Sequence, residues 1–171
     1  TMADKDKSVY MVDAYSDPVV VRIDGRACFQ NSSCLRDFIA GMIKQGKMQF
    51  VLDFQHCTSM DSTFLGVLAG SALALRKATD GKGTFVLTRV GQRNLELIRN
   101  LGLHRLLMVD AGDFNMNFDQ CNKPLTQAQQ DELSNARMVL QAHENLVVAD
   151  ESNRTKFQDV LSYLKNRVEQ K

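Results

Sequence analysis

The sequence predicts an α/β fold: a four- to five-stranded mixed sheet with packed helices, followed by two C-terminal helices. Short apolar runs rich in Val, Ile and Phe alternate with longer segments that have helical apolar spacing over residues 9–110. The resulting order is β-β-α-β-α-β-α-β. Each helix then serves as a crossover between parallel strands, while a leading antiparallel hairpin makes the sheet mixed.

Turn residues and apolar runs define the predicted strands. Asp17-Pro18 marks the turn of the leading hairpin, and Asp24-Gly25 ends its second strand. The third strand is nearly continuously apolar, which is typical of a strand covered on both faces. The predicted strands are Val9 to Val12, Val19 to Ile23, Phe50 to Phe54, Thr84 to Thr88 and Leu106 to Val109.

Capping residues define the helices. Asn31-Ser32-Ser33 precedes apolar residues at helical spacing, and Gly46 ends this first helix. The second helix begins at Asp61-Ser62 and reaches about Thr79, with cations in its last turn. The third runs from near Gly91 to Gly102, which suits the C′ position.

The remaining chain predicts a helical extension. Residues 1–110 form the main domain, the polar residues 111–123 a linker, and residues 124–171 the extension. A capping-box pattern starts at Pro124, and Phe157 to Val168 supplies a clean apolar helical stripe. Such a stripe must be buried, against its own domain or an identical chain, so a homodimer is one hypothesis.

Composition excludes several classes of function. Lys and Arg total 21 against 20 Asp and Glu, a net charge of +1 that favours neither nucleic-acid nor anionic-lipid binding. The apolar runs are shorter than the roughly 20 residues of a membrane span, so no membrane insertion is predicted. A polar N-terminus without an apolar signal region, and four irregularly spaced cysteines, indicate a cytoplasmic protein.

Few residues indicate catalysis. The three histidines lie in different predicted elements without the spacing of metal ligands, and no P-loop occurs. We therefore predict no enzyme activity, catalytic residue, metal or cofactor. His56-Cys57 lies in the loop before Ser62, so a Ser–His or Cys–His pair in a small enzyme is the weakest alternative.

The informative motif joins a buried strand to a helix through the loop Cys57-Thr58-Ser59-Met60-Asp61-Ser62. In a purely structural interpretation, Asp61 caps the second helix and Ser62 occupies its first turn. In a functional one, Ser62 opens onto solvent beside unpaired N–H groups, where a phosphate would be held and would repel a docked protein.

This arrangement, with Leu65-Gly66 following, resembles the signature of the STAS family, whose simplest bacterial members are anti-sigma factor antagonists. Val20-Val21-Arg22-Ile23-Asp24-Gly25 is similar to the family's second strand and glycine turn. The resemblance implies a signalling protein in transcription regulation that binds a serine kinase/anti-sigma factor and is released when Ser62 is phosphorylated. The implied partner interface comprises Asp24, Asp53, Ser59, Asp61, Ser62, Thr63, Phe64 and Val67.

Two features leave alternatives open. Phe64 stands where the family usually has a small residue, which favours a stand-alone STAS subunit of a membrane transport complex that is not phosphorylated. The second helix also has an additional apolar face, formed by Phe64, Val67, Ser71 and Ala74. That face is either buried in the domain or exposed to dock a partner or the protein's own tail.

Overall fold

A computed structural model describes residues 9–110 and 116–170. It contains a six-stranded sheet in the order β5-β4-β3-β2-β1-β6. The predicted mixed α/β class is confirmed, with one additional short strand. The strands are β1 (Tyr10–Asp13), β2 (Val19–Ala27), β3 (Gln49–Met60), β4 (Thr84–Thr88), β5 (Met108–Val109) and β6 (Lys123–Pro124).

The sheet combines an antiparallel edge with a parallel centre. β1 pairs with β2 in the predicted hairpin, whereas β2, β3, β4 and β5 pair in parallel. The unpredicted strand β6 spans the boundary between the predicted linker and the predicted extension, and it pairs antiparallel with β1. It contains only two residues, and Pro124 is tolerated because β6 is an edge strand.

The helices follow the predicted order. The N-terminal part has three, and the two predicted C-terminal helices are present as α4 and α6, with the single turn α5 between them. They are α1 (Ser32–Lys44), α2 (Ser62–Ala78), α3 (Gln92–Asn100), α4 (Glu132–Ala149), α5 (Asn153–Lys156) and α6 (Gln158–Glu169). None of the helices in the described ranges is long and apolar enough to cross a membrane.

Strand alternation separates two cores on opposite faces of the sheet. Val21, Leu52 and Leu87 belong to the larger core, which the helices cover. Their neighbours Val20, Val51 and Val86 face the other way and pack with Phe118 and Cys121, from the segment after β5. This second face is therefore covered by irregular chain, and the helices lie together on the first face.

The C-terminal helices pack on the helical face. α4 contacts α2, and α6 packs on α4. Leu146 of α4 is completely buried within the larger core. The Asn153 side chain donates hydrogen bonds to the carbonyl oxygens of Leu101, at 2.9 Å, and Leu146, at 2.8 Å. α4 is thus fastened to the body of the protein at its C-terminal end.

Candidate regulatory site at the start of helix α2

Asp61 organises the loop between β3 and α2. Its Oδ1 accepts a hydrogen bond from the backbone N–H of Phe64, at 2.9 Å, which makes it the N-cap of α2. Its Oδ2 accepts from the backbone N–H of Phe29, at 2.8 Å, in the loop that follows β2. Both carboxylate oxygens therefore stabilise the fold, whatever other role the residue has.

Ser62 is the first residue of α2, and its side chain meets the C-terminal extension. The residue is half-buried, and its Oγ lies 2.8 Å from Nε2 of His143, in α4. His143 itself is only 3% exposed. The sequence predicted a hydroxyl that opens onto solvent; the structure instead places it under α4, in a hydrogen bond.

The surroundings of His143 fix the direction of that hydrogen bond. Nδ1 lies 2.8 Å from the backbone carbonyl oxygen of Val139, one turn earlier in α4. A carbonyl can only accept, so Nδ1 carries a hydrogen, and Nε2 of the neutral ring is an acceptor. The Ser62 hydroxyl therefore donates to Nε2. The ring of Phe157 packs edge-on against the imidazole, with centroids 5.0 Å apart.

Two glycines let α4 approach α2 closely. A Cβ atom at Gly66 would collide with the backbone carbonyl of Ala142, and one at Gly70 would meet the side-chain amide of Asn145. The Asn145 Nδ2 donates a hydrogen bond of 3.2 Å to the carbonyl oxygen of Gly66. Both alternatives that the sequence left open for the second face of α2 thus apply: Val67 meets the protein's own tail, whereas Phe64 is buried in the domain.

The predicted partner interface does not form one exposed surface. Half of its residues are partly exposed, and half are buried in this conformation, where a partner cannot contact them. Partly exposed are Asp24, Ser59, Asp61 and Ser62; buried are Asp53, Thr63, Phe64 and Val67. Val67 is covered by Met138 and Ala142 of α4.

Phe64 belongs to the aromatic centre of the larger core. It is completely buried, with its ring parallel to that of Tyr10 at 6.3 Å and edge-on to that of Phe54 at 6.2 Å. Its large side chain therefore fills space between α2 and the sheet. It neither forms a partner surface nor stands in front of the Ser62 hydroxyl.

Asp53 lies on the opposite face of the sheet from α2 and is fully buried. Its carboxylate receives two hydrogen bonds from Arg89, Nε to Oδ1 at 2.8 Å and Nη2 to Oδ2 at 2.5 Å. This bond to Asp53 raises the pKa of the Arg89 guanidinium, which also lies over the ring of Phe118, 4.9 Å from its centroid. The pair supports the second core, because an unpaired buried carboxylate would be costly.

Asp24 lies at the exposed end of β2. It forms a bidentate ion pair with Arg22, whose Nη2 is 2.8 Å from Oδ2, and its register partner in β3 is His56. Around them is an open depression that also includes Gly25 and Thr58. This part of the predicted interface is accessible in the structure.

Ser62 and Cys57 were the candidates that the sequence offered for a catalytic pair with a histidine. The histidine at Ser62 is His143, not the His56 that the sequence placed nearby. A serine, a histidine acceptor and an orienting carbonyl resemble parts of a nucleophilic site, but a substrate would have to displace α4 to reach them. Burial raises the pKa of the Cys57 thiol to about 11, which keeps it protonated and unreactive. Among the described residues, no three His, Cys, Asp or Glu side chains cluster as metal ligands.

Comparison with known proteins identifies the fold family. The family model described as "Mlab, STAS domain" matches residues 10–110. The chain belongs to the STAS family. The STAS match ends before α4, so His143 and Asn145 belong to an extension beyond the family domain.

Several solved structures are similar to part of the chain. The unphosphorylated anti-sigma factor antagonist SpoIIAA is 20% identical over 61% of this chain and 90% of its own, with a TM-score of 0.48. The phosphorylated form of SpoIIAA, the Bacillus cell fate determinant, is 20% identical over 60% and 91%, also at 0.48. TM1081 of Thermotoga maritima is 18% identical over 60% and 84%, at 0.48. A comparison with curated protein sequences gives no match.

Proposed function

We propose that the protein is a regulatory protein-binding module of the anti-sigma factor antagonist type, acting in the cytoplasm, with Ser62 as its switch. The observation that carries the proposal is the position of Ser62 in a STAS domain, directly after the Asp61 cap and in the first turn of α2. The protein is not itself an enzyme. It acts in transcription regulation by binding or releasing a serine kinase/anti-sigma factor.

The switch is a change of charge at a helix N-terminus. The partner kinase transfers the γ-phosphoryl group of ATP to Ser62 Oγ; the bond to the β-phosphate breaks, and ADP and the hydroxyl proton leave. The product carries about −1.5 to −2 charges at neutral pH. The first N–H groups of a helix have no partner within it and favour such an anion. A docked protein is repelled by the same charge and must also desolvate it.

The partner is proposed to contact the accessible residues around the switch, namely Asp24, Ser59, Asp61 and Ser62. Each is partly exposed. Thr63, Phe64 and Val67 lie beneath or beside this surface and determine its shape, while Asp53 contributes only from the far side of the sheet. The buried members of the implied interface thus have a supporting role in the proposal.

The test compares phosphorylation and binding in the same variants. Mass spectrometry of protein isolated from its own cells should find phosphate on Ser62, and Ser62→Ala should abolish it. A kinase should be captured by wild type and Ser62→Ala but lost with Ser62→Asp. Ser162→Asp, at an exposed serine in α6, is the matched control and should retain the kinase. Equal capture by all four proteins would refute the switch.

A second candidate is a stand-alone STAS subunit of a membrane transport complex without phosphorylation. The observation that favours it is the existing hydrogen bond of the Ser62 hydroxyl to His143, which already engages the oxygen that a kinase would phosphorylate. In that case a transporter ATPase should be captured equally by wild type, Ser62→Ala and Ser62→Asp, and Ser62 should carry no phosphate.

A further inference from the structure

We propose that α4 is an autoinhibitory cover, and that its closed position and a phosphate on Ser62 exclude each other. This inference rests on the proposed function. The contact itself involves only this chain: one helix of the extension holds Ser62, and that helix must move before a kinase or a binding partner can reach the residue.

The space between the Ser62 hydroxyl and His143 is too small for a phosphate. The 2.8 Å between Ser62 Oγ and His143 Nε2 accommodates one hydrogen and nothing larger. A phosphorus atom in place of that hydrogen would overlap the imidazole ring. Since His143 is 3% exposed and packed against Phe157, its ring cannot turn away unless α4 moves. Phosphorylation therefore requires an open α4.

The hydrogen bond between Ser62 and His143 requires a donor on Ser62. Nε2 of the neutral His143 is an acceptor, because Nδ1 donates to the Val139 carbonyl. A phosphoserine dianion has no hydrogen to donate, so it cannot make the bond that the Ser62 hydroxyl makes to Nε2. The modified residue thus loses the hydrogen bond that holds the closed α4 at this point.

Close backbone approach and polar side chains are prominent in the contact between α2 and α4. Along α2, α4 packs on Gly66 and Gly70, and the polar bond from Asn145 to the Gly66 carbonyl adds to the one at Ser62. The same contact buries Val67, Met138 and Ala142, and Val67 belongs to the interface that the family resemblance implies. Ser62 contributes a hydrogen bond, and Gly66 and Gly70 contribute close backbone approach, so a change of charge or volume at these positions acts directly on the closed form.

The extension is fastened on both sides of this contact, so opening is a local movement. Before α4, the Gln127 side chain donates to Ser33 Oγ at 2.5 Å and accepts from the Cys34 N–H at 3.1 Å. After His143, Leu146 is buried in the larger core. The cover therefore remains tethered when it opens and can close again after dephosphorylation.

Hydrogen exchange of the full-length protein tests the cover without any partner. Ser62→Glu removes the donor and adds charge, and Gly66→Ala forces a Cβ against the Ala142 backbone. Losing one net hydrogen bond corresponds to about a fivefold change in an equilibrium. We expect exchange protection in α4 around residues 139–145 to fall at least about fivefold in both variants.

Two controls separate opening from general destabilisation. Ser162→Glu adds the same charge on the exposed side of α6, and Gly41→Ala adds a methyl group in α1 where nothing lies within 4 Å. Both should leave α4 protection unchanged, and the β3 and β4 amides should stay protected in every variant. Wild-type protection of α4 in Ser62→Glu and Gly66→Ala would overturn the cover. If α4 opens but kinase capture ignores Ser62→Asp, the proposed function fails and the cover stands.

Discussion

The two sides of α2 carry different kinds of residue. The side that faces the sheet has large side chains, with Phe64, Leu65 and Leu68 all fully buried. The side that faces α4 has two glycines, Gly66 and Gly70, and the hydroxyl of Ser62. One helix thus makes a contact of large apolar side chains on one side, and on the other a closer contact in which glycines and a hydroxyl accompany Val67.

The side of α2 that faces the sheet contributes mainly to stability, whereas the side that faces α4 is the one proposed to regulate. Burying a Leu or Phe side chain contributes about 1.5–3 kcal/mol, whereas a hydrogen bond such as that between Ser62 and His143 contributes about 0.5–1.5 kcal/mol. The sheet side of α2 therefore holds the domain together. The side that faces α4, here called the tail side, also buries Val67 against Met138 and Ala142, and its hydrogen bond at Ser62 is the part that phosphorylation removes.

The largest effect is expected on the sheet side. Phe64→Ala leaves a cavity between Tyr10 and Phe54 and should lower the free energy of unfolding by about 3–5 kcal/mol. Urea unfolding measures this value, and Phe64→Leu should cost clearly less because it fills most of the space. A loss below about 1 kcal/mol for Phe64→Ala would mean that the ring does not pack as the structure shows.

A smaller and conditional effect is expected on the tail side. Gly70→Ala brings a methyl group against the Asn145 amide, whereas in an Asn145→Ala background that obstacle is gone. Alanine is a better helix former than glycine by up to about 1 kcal/mol, so the substitution should stabilise the second background but not the first. A double-mutant cycle by urea unfolding should give a coupling of about 1 kcal/mol. Additive effects would contradict the close approach of α4.

The sheet side could be predicted from the sequence because large apolar side chains leave a periodic pattern. The apolar run from Phe50 to Phe54 and the Asp61 cap predicted β3 and the start of α2, and the STAS motif depends on the same residues. The end of β3 was predicted wrongly, because the strand continues to Met60 through polar residues that were assigned to a loop. The sixth strand was missed because two residues, one of them Pro124, have no strand pattern.

The sequence left the tail side undecided between burial, a partner and the protein's own tail, because glycine and serine give no apolar signal. The partner of Ser62 is 81 residues away in the chain, and His143 appeared in the sequence only as one of three histidines in different predicted elements. A helix with Gly66 and Gly70 four residues apart on one face is the signal that indicates close approach of another helix. It does not say which helix approaches.

Alkaline pH is expected to have the smallest effect on the stability that the sheet side of α2 contributes. Burial raises the pKa of the Cys57 thiol to about 11, and burial likewise raises the pKa of Tyr10, which stacks on Phe64. Both groups ionise more readily in the unfolded chain. The stability they contribute is therefore fully present below the unfolded pKa and is lost as pH rises toward the folded one.

For Cys57, the loss between pH 8 and pH 10 should be about 1 kcal/mol, since one pKa unit corresponds to about 1.4 kcal/mol. Urea unfolding across this range measures the slope, and Cys57→Ala should reduce it by that amount while Ser62→Ala leaves it unchanged. The thiol contacts the larger core, whereas the Ser62 hydroxyl contacts α4. A slope that Cys57→Ala does not alter would show that the thiol is hydrated in the folded protein, and the sheet side of α2 would then be less tightly closed than its apolar residues imply.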